Sequence, residues 1–142
     1  MAIDRYSFGG LLFRLSHEYD HLMRQLGNNV GLYSGQPRIL TTISVNPGCT
    51  LSELSSLTGL GLPSLSVSIR NMKKTGLVCD NGVGRNRHLT LTELGEEKAN
   101  AFHRDFDAFL NSFIDSLGEE RSEVLERELS SMHDYIQAYR NR

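Results

Sequence analysis

From residue 8 to residue 26, apolar side chains recur at spacings of four and three: Phe8, Leu12, Leu15, Tyr19, Leu22 and Leu26, with Leu11 and Met23 widening the stripe. That period is an α-helix with one buried face. A polar, glycine-containing gap from Gly27 to Gly35 separates it from a second helix over Gln36 to Val45, which has Pro37 in its first turn and ends at Asn46-Pro47-Gly48. Thr50, followed three residues later by Glu53, is a capping box that opens a third helix. Leu51, Leu54 and Leu57 supply its apolar face, and Gly59 ends it. A fourth helix runs from about Leu62 to Thr75, with Pro63 in its first turn, Leu65, Ile69 and Met72 at i, i+4 and i+7, and Gly76 as its stop.

Beyond Gly76 the period drops to two. Leu77-Val78-Cys79 is a short apolar strand, Asn81-Gly82 and Gly84 give a turn, and Leu89 and Leu91 alternate with Thr90 and Thr92. Arg85 and Arg87 lie at or just past the tip of this hairpin. Helical period then returns. Thr92 is an N-cap, and Glu93, Glu96 and Glu97 suit the positive end of a helix that runs to about Leu117 with Phe102, Phe106, Phe109 and Phe113 on one face. Gly118 breaks it, Ser116 and Glu119 have capping-box spacing, and a last helix carries Val124, Leu125, Leu129, Met132, Ile136 and Tyr139. The expected fold is mainly α with a small β component (α+β). Residues 36–92 form a winged helix-turn-helix unit, and residues 1–35 and 93–142 form a helical dimerisation region of the same compact chain.

The fourth helix has the composition of a helix that approaches nucleic acid. Outside its apolar stripe stand Ser64, Ser66, Val67 and Ser68 in the first half, and Arg70, Asn71, Lys73 and Lys74 in the second. Small and hydroxylated residues permit close approach to base edges and phosphates, which a helix N-terminus also attracts. Two arginines on a hairpin read, by themselves, as a solvated surface. Joined to a helix pair they read as contacts to phosphate or the minor groove. The expected DNA-binding residues are therefore Ser64, Ser66, Val67, Ser68, Arg70, Asn71, Lys74, Arg85 and Arg87.

Charge supports this placement once its distribution is considered. The net charge is −2, which does not suggest a DNA-binding protein. Residues 60–92, however, hold five bases (Arg70, Lys73, Lys74, Arg85, Arg87) against the single acid Asp80, while residues 93–142 hold twelve acids against six bases. The positive field is concentrated on the helix-turn-helix and hairpin, and the acidic remainder limits indiscriminate binding.

These pieces, in order, resemble the MarR family of bacterial transcriptional regulators. The matching stretches are GQPRIL (35–40), LSELSSLTGLGLPSLSVSIRNMKKTGLV (51–78) and LTLTELGEE (89–97), and the flanking helices extend the similarity over the whole chain. The resemblance implies a homodimeric transcription factor, usually a repressor, with the fourth helix in the major groove of double-stranded DNA. It also implies a small aromatic or lipophilic ligand in a crevice beside the dimer helices, for which His17, His21 and Arg38 are the candidates. Three positions depart from the family pattern. Gly61 replaces a polar N-cap, Val67 stands where a basic residue is common, and Val83-Gly84-Arg85 replaces Asp-x-Arg, so the acid that orients the hairpin arginine is missing there.

Other chemistries fare less well. No glycine-rich phosphate loop, nucleophile elbow or catalytic carboxylate pair is present, so an enzyme is not expected. His17 and His21 are at i, i+4, but the intervening order is not that of a zinc protease, and a polar helix face is the better reading. No metal and no cofactor is expected. Cys49 and Cys79 form no disulfide or metal-finger pattern. Cys79 reads as core filler and Cys49, before a helix start, as the better thiolate candidate for a redox-responsive regulator. No apolar run spans a membrane and no secretory signal is seen, so a cytoplasmic protein is expected. The apolar stripes at both chain ends exceed what a small winged unit covers, which predicts a homodimer. The alternative from a different class is a winged-helix protein-interaction module whose acidic helices bind a partner; a redox- or metal-responsive regulator of the same fold is the other alternative.

Overall fold

The computed structural model describes residues 4–82 and 87–142, apart from the side chain of Arg5. Among the described residues, six helices and one hairpin follow in the order α1 (Arg5–Asn29), α2 (Gln36–Val45), α3 (Leu51–Thr58), α4 (Leu62–Lys74), β1 (Val78–Asn81), β2 (His88–Leu91), α5 (Glu93–Leu117) and α6 (Glu119–Arg140). The chain divides into two compact units, Met1–Asp105 and Phe106–Arg142. Among the described residues no helix is long and apolar enough to cross a membrane.

The first unit holds the core. Leu32, Ile39, Leu40, Ile43, Leu54, Leu65, Met72 and Phe102 are fully buried, so α2, α3, α4 and the first half of α5 share one apolar interior. α1 runs past the predicted glycine boundary to Asn29, capped at its start by the Asp4 side chain. It crosses Gly27 because that glycine is pressed against α2, where a Cβ would lie 2.5 Å from Pro37 Cγ. Lys98 of α5 donates to the carbonyl of Val30 at 2.8 Å, tying α5 to the turn after α1.

The helix pair is set by local signals. The capping box at α3 is fully formed, with Thr50 N–H donating to Glu53 Oε2 at 2.9 Å and Glu53 N–H donating to Thr50 Oγ1 at 3.2 Å. Gly59, at φ 71°, takes the left-handed conformation that turns the chain toward α4. The Ser55 hydroxyl donates to Leu60 O at 2.6 Å, closing the turn from inside. Leu57 does not join the core; it is 56 % exposed. At about 100° per residue, i, i+3 and i+6 drift steadily off one face, and i+7 returns to it. Thr58, buried and bonded to Leu54 O, takes the position expected of Leu57.

β1 and β2 pair antiparallel in the register Val78↔Leu91, Cys79↔Thr90, Asp80↔Leu89 and Asn81↔His88. A third short extended segment joins them: Gly48 N–H donates to Leu89 O at 2.8 Å, and Leu89 N–H to Cys49 O at 2.9 Å. This pairing reverses the expected roles of the two cysteines. Cys49 lies in this added segment and is buried, and Cys79 is exposed, its Sγ 3.0 Å from Thr90 Oγ1 across the hairpin. Burial, and secondarily the Glu53 carboxylate, raise the Cys49 pKa, with a backbone hydrogen bond opposing them. Cys49 is therefore a protonated core thiol rather than a thiolate.

Thr92 caps α5 as expected, accepting from Gly95 N–H at 3.0 Å. The same hydroxyl donates to Gly76 O, and Thr92 N–H donates to Leu77 O at 3.1 Å. α5 thus starts directly on the segment where α4 ends.

The second unit is the end of α5 and α6. Gly118, at φ 89°, occupies the N-cap of α6 without a side-chain cap, and Ser116 donates to Phe113 O at 2.8 Å. The expected Ser116–Glu119 capping box therefore does not form, because Ser116 lies inside α5. α6 has no buried residue, and Val124, Leu125, Leu129 and Ile136 are all exposed.

Candidate nucleic-acid interface

α4 is anchored on one side by Leu65, Ile69 and Met72, each buried, which fixes the directions of everything else it carries. Val67 and Lys74 point straight away from the core and both are exposed. Ser64 and Asn71, also exposed, occupy one flank, with the half-buried Ser68 beside the core. Ser66, Arg70 and Lys73 occupy the other flank, facing the hairpin. Gly61 leaves the N-terminus of α4 without a side-chain cap, so its first N–H groups are not taken up by a residue of the cap position.

Between α4 and the hairpin lies a groove of about 980 Å³. Ser66, Arg70, Lys73, Lys74 and Arg87 line it, together with Asp80. Four of the expected DNA-contacting residues (Ser66, Arg70, Lys74, Arg87) are therefore brought together from two elements, whereas Ser64, Val67, Ser68 and Asn71 are presented by α4 outside the groove. Arg85 and the departure at Val83-Gly84-Arg85 lie outside the described residues.

Asp80 and Lys73 are the charged groove residues outside the expected DNA-binding set. Lys73 Nζ donates to Asp80 Oδ2 at 2.9 Å, and Arg87 Nη1 lies 3.6 Å from the same oxygen. One carboxylate on β1 thus holds the last turn of α4 and the residue that leads into β2. The hydrogen bond from Lys73 lowers the Asp80 pKa; partial burial opposes this, and the charges of Lys73 and Arg87 reinforce it. Strand alternation was the available signal: Asp80 is two residues on from Val78 and shares its side of the pleat, which here faces α4. Arg70 and Lys74 form no ion pair with any described residue.

The candidate ligand residues are not bonded to one another. His17 is exposed on α1 and stacks on Phe13, with ring centroids 6.5 Å apart. His21 and Arg38 are also exposed, and no hydrogen bond or ion pair among the described residues joins either to the other or to His17. Among the described residues, no three His, Cys, Asp or Glu side chains gather as a metal ion would require.

A helix pair, a hairpin beside the second helix and a basic groove between them define a winged helix-turn-helix protein. Residues 36–78 match the family described as winged helix-turn-helix DNA-binding. The fold over the whole chain is that of MarR family transcription regulators. One such regulator is 18 % identical and superposes with a TM-score of 0.86, over 96 % of this chain and 93 % of its own. Staphylococcus aureus MarR in complex with salicylate and kanamycin is 17 % identical, with a TM-score of 0.83 over 94 % and 92 %. S. aureus MepR in a DNA complex is 20 % identical, with a TM-score of 0.81 over 94 % and 99 %. No curated protein sequence matches this chain.

Proposed function

We propose that this chain is a non-enzymatic, DNA-binding transcriptional regulator of the MarR type, working in the cytoplasm as a homodimer and repressing by occupying an operator. The observation that carries the reading is the groove between α4 and the hairpin, where Arg70, Lys73, Lys74 and Arg87 converge beside a helix whose outward face is small or polar. α4 enters the major groove, and the hairpin arginines Arg85 and Arg87 reach adjoining phosphates or the minor groove. Val67, exposed at the centre of α4, offers methyl groups that fit the C5-methyl of thymine, a contact that needs no charge. A two-fold dimer requires a pseudo-palindromic site with half-sites about 10 base pairs apart.

The purified protein is expected to bind its own upstream DNA more tightly than a scrambled duplex, with log affinity falling steeply as log salt rises. A salt series on both duplexes measures this. Equal, weak and salt-insensitive binding to both would sink the reading and move the protein-interaction module ahead of it.

The dimer rests on apolar side chains that are exposed in each unit: Phe8, Leu11 and Leu15 on α1 of the first, and Leu125, Leu129 and Ile136 on α6 of the second. Because α6 has no buried residue, charged substitutions there cost each protomer little and act on association. Leu129→Glu with Ile136→Glu is expected to weaken dimerisation by about 100-fold or more, since covering the exposed half of each apolar side chain is worth roughly 0.7 kcal/mol or more and a two-fold axis counts each of the two twice. Sedimentation equilibrium reads the outcome; an unchanged dimer would place the interface elsewhere. Ligand response belongs to the same proposal. His17, His21 and Arg38 are its candidate contacts, and a small aromatic or lipophilic ligand acts by favouring a dimer whose α4 helices are wrongly spaced.

A further inference from the structure

We infer that Asp80 is a specificity-determining residue: by engaging Lys73 and Arg87 it withholds part of the groove's positive charge from DNA of any sequence, so that binding depends on the contacts of α4. The inference rests on the DNA-binding reading above and deepens it. The groove carries four described cations, and they are not equivalent. Lys73 is hydrogen-bonded to Asp80 at 2.9 Å and Arg87 lies 3.6 Å from the same oxygen, whereas Arg70 and Lys74 have no described acid partner. The Asp80 side chain is only 17 % exposed, against 36 % for Lys73 and 56 % for Arg87, so the carboxylate is set behind the two cations that it holds.

A phosphate approaching this flank meets Lys73 and Arg87 already engaged, with a negative charge behind them. To use either cation fully it must displace Asp80 or tolerate its repulsion. Random DNA binds through backbone contacts alone and settles on whichever cations are available, whereas operator DNA is seated by its base contacts to α4, so the penalty weighs more on random DNA. Operator DNA also gains the base contacts of α4, whose outward side chains Asp80 does not engage, and it binds despite the penalty. Random DNA has nothing to offset the penalty. The same ion pairs fix the hairpin against the last turn of α4, which keeps Arg87 in register with the helix.

The test replaces Asp80 with its uncharged isostere. Asp80→Asn is expected to raise affinity for a random duplex roughly three- to tenfold at moderate salt. The slope of log affinity against log salt steepens by about 0.9 for each phosphate newly engaged. Operator affinity gains less, so the ratio of operator to random binding falls. A purely structural role for Asp80 cannot produce this, because a loosened interface lowers both affinities. A second comparison needs no change at Asp80: on random DNA, Lys73→Gln is expected to weaken binding less than Lys74→Gln, since Lys73 is already engaged and Lys74 is not. If Asp80→Asn proves poorly folded by thermal unfolding, the two lysine variants decide. Random-duplex affinity that is unchanged or reduced in a folded Asp80→Asn, or equal weakening by the two lysine variants, overturns the inference while leaving the DNA-binding reading intact. A wild-type protein that binds neither duplex overturns both.

Discussion

Gly95→Ala is expected to lower the stability of the winged unit by about 2–4 kcal/mol, a drop in thermal midpoint on the order of 10 °C. The cause is a close approach of backbone to backbone. A Cβ at position 95 would lie 2.1 Å from the Leu77 carbonyl oxygen and 3.1 Å from its carbon, with Leu91 Cβ at 3.3 Å. Flexible side-chain ends could yield to a methyl group, but Leu77 cannot move freely. Its carbonyl accepts from Thr92 N–H, its N–H donates to Met72 O at 2.8 Å, and its side chain is buried. Relief therefore requires α5 to lift from the end of α4, loosening the Thr92 contacts to Gly76 and Gly95. Gly10→Ala is the matched control. It lies inside α1, where an added Cβ meets nothing within 4 Å, and alanine there is expected to stabilise the helix by up to ~1 kcal/mol. Thermal unfolding of both variants gives opposite signs if close packing is the cause; two small changes of the same sign would remove it.

What was legible in the sequence was local. Thr50 and Glu53, Gly59, Pro63 and Gly76 each act within a few residues of themselves, and α3 and α4 begin and end where those residues direct. The stripe of Leu65, Ile69 and Met72 fixed which side of α4 faces outward, and so which side chains DNA could meet. What was not legible depended on partners distant in the chain. Cys49 is buried because Leu89, forty residues on, pairs with it; nothing near Cys49 announces a third strand. Asp80 looked like one acid diluting a basic segment until the hairpin and α4 placed Lys73 and Arg87 against it. Gly95 left a fainter sign, a poor helix former in the first turn of a long helix, whose reason is the Leu77 carbonyl eighteen residues earlier.

Arg70→Glu is expected to lower operator affinity by about 100-fold or more, ~2.7 kcal/mol, with the fold intact. Arg70 is exposed, has no described ion-pair partner and lines the groove, so its replacement leaves no buried group unsatisfied and stability is expected to change by no more than ~0.5 kcal/mol. The weakening on DNA has two parts. One is the guanidinium interaction itself, worth ~1–3 kcal/mol where it grips a guanine edge in bidentate fashion. The other is a carboxylate placed against the polyanion, which lowers affinity for every sequence and flattens the salt slope by about 0.9 for each phosphate no longer neutralised. The two separate on comparing operator with random duplex. If Arg70 reads a base, the operator suffers more and the specificity ratio falls. Equal weakening on both would reassign Arg70 to the backbone, and binding within threefold of wild type on both duplexes would mean that this face of α4 does not meet DNA.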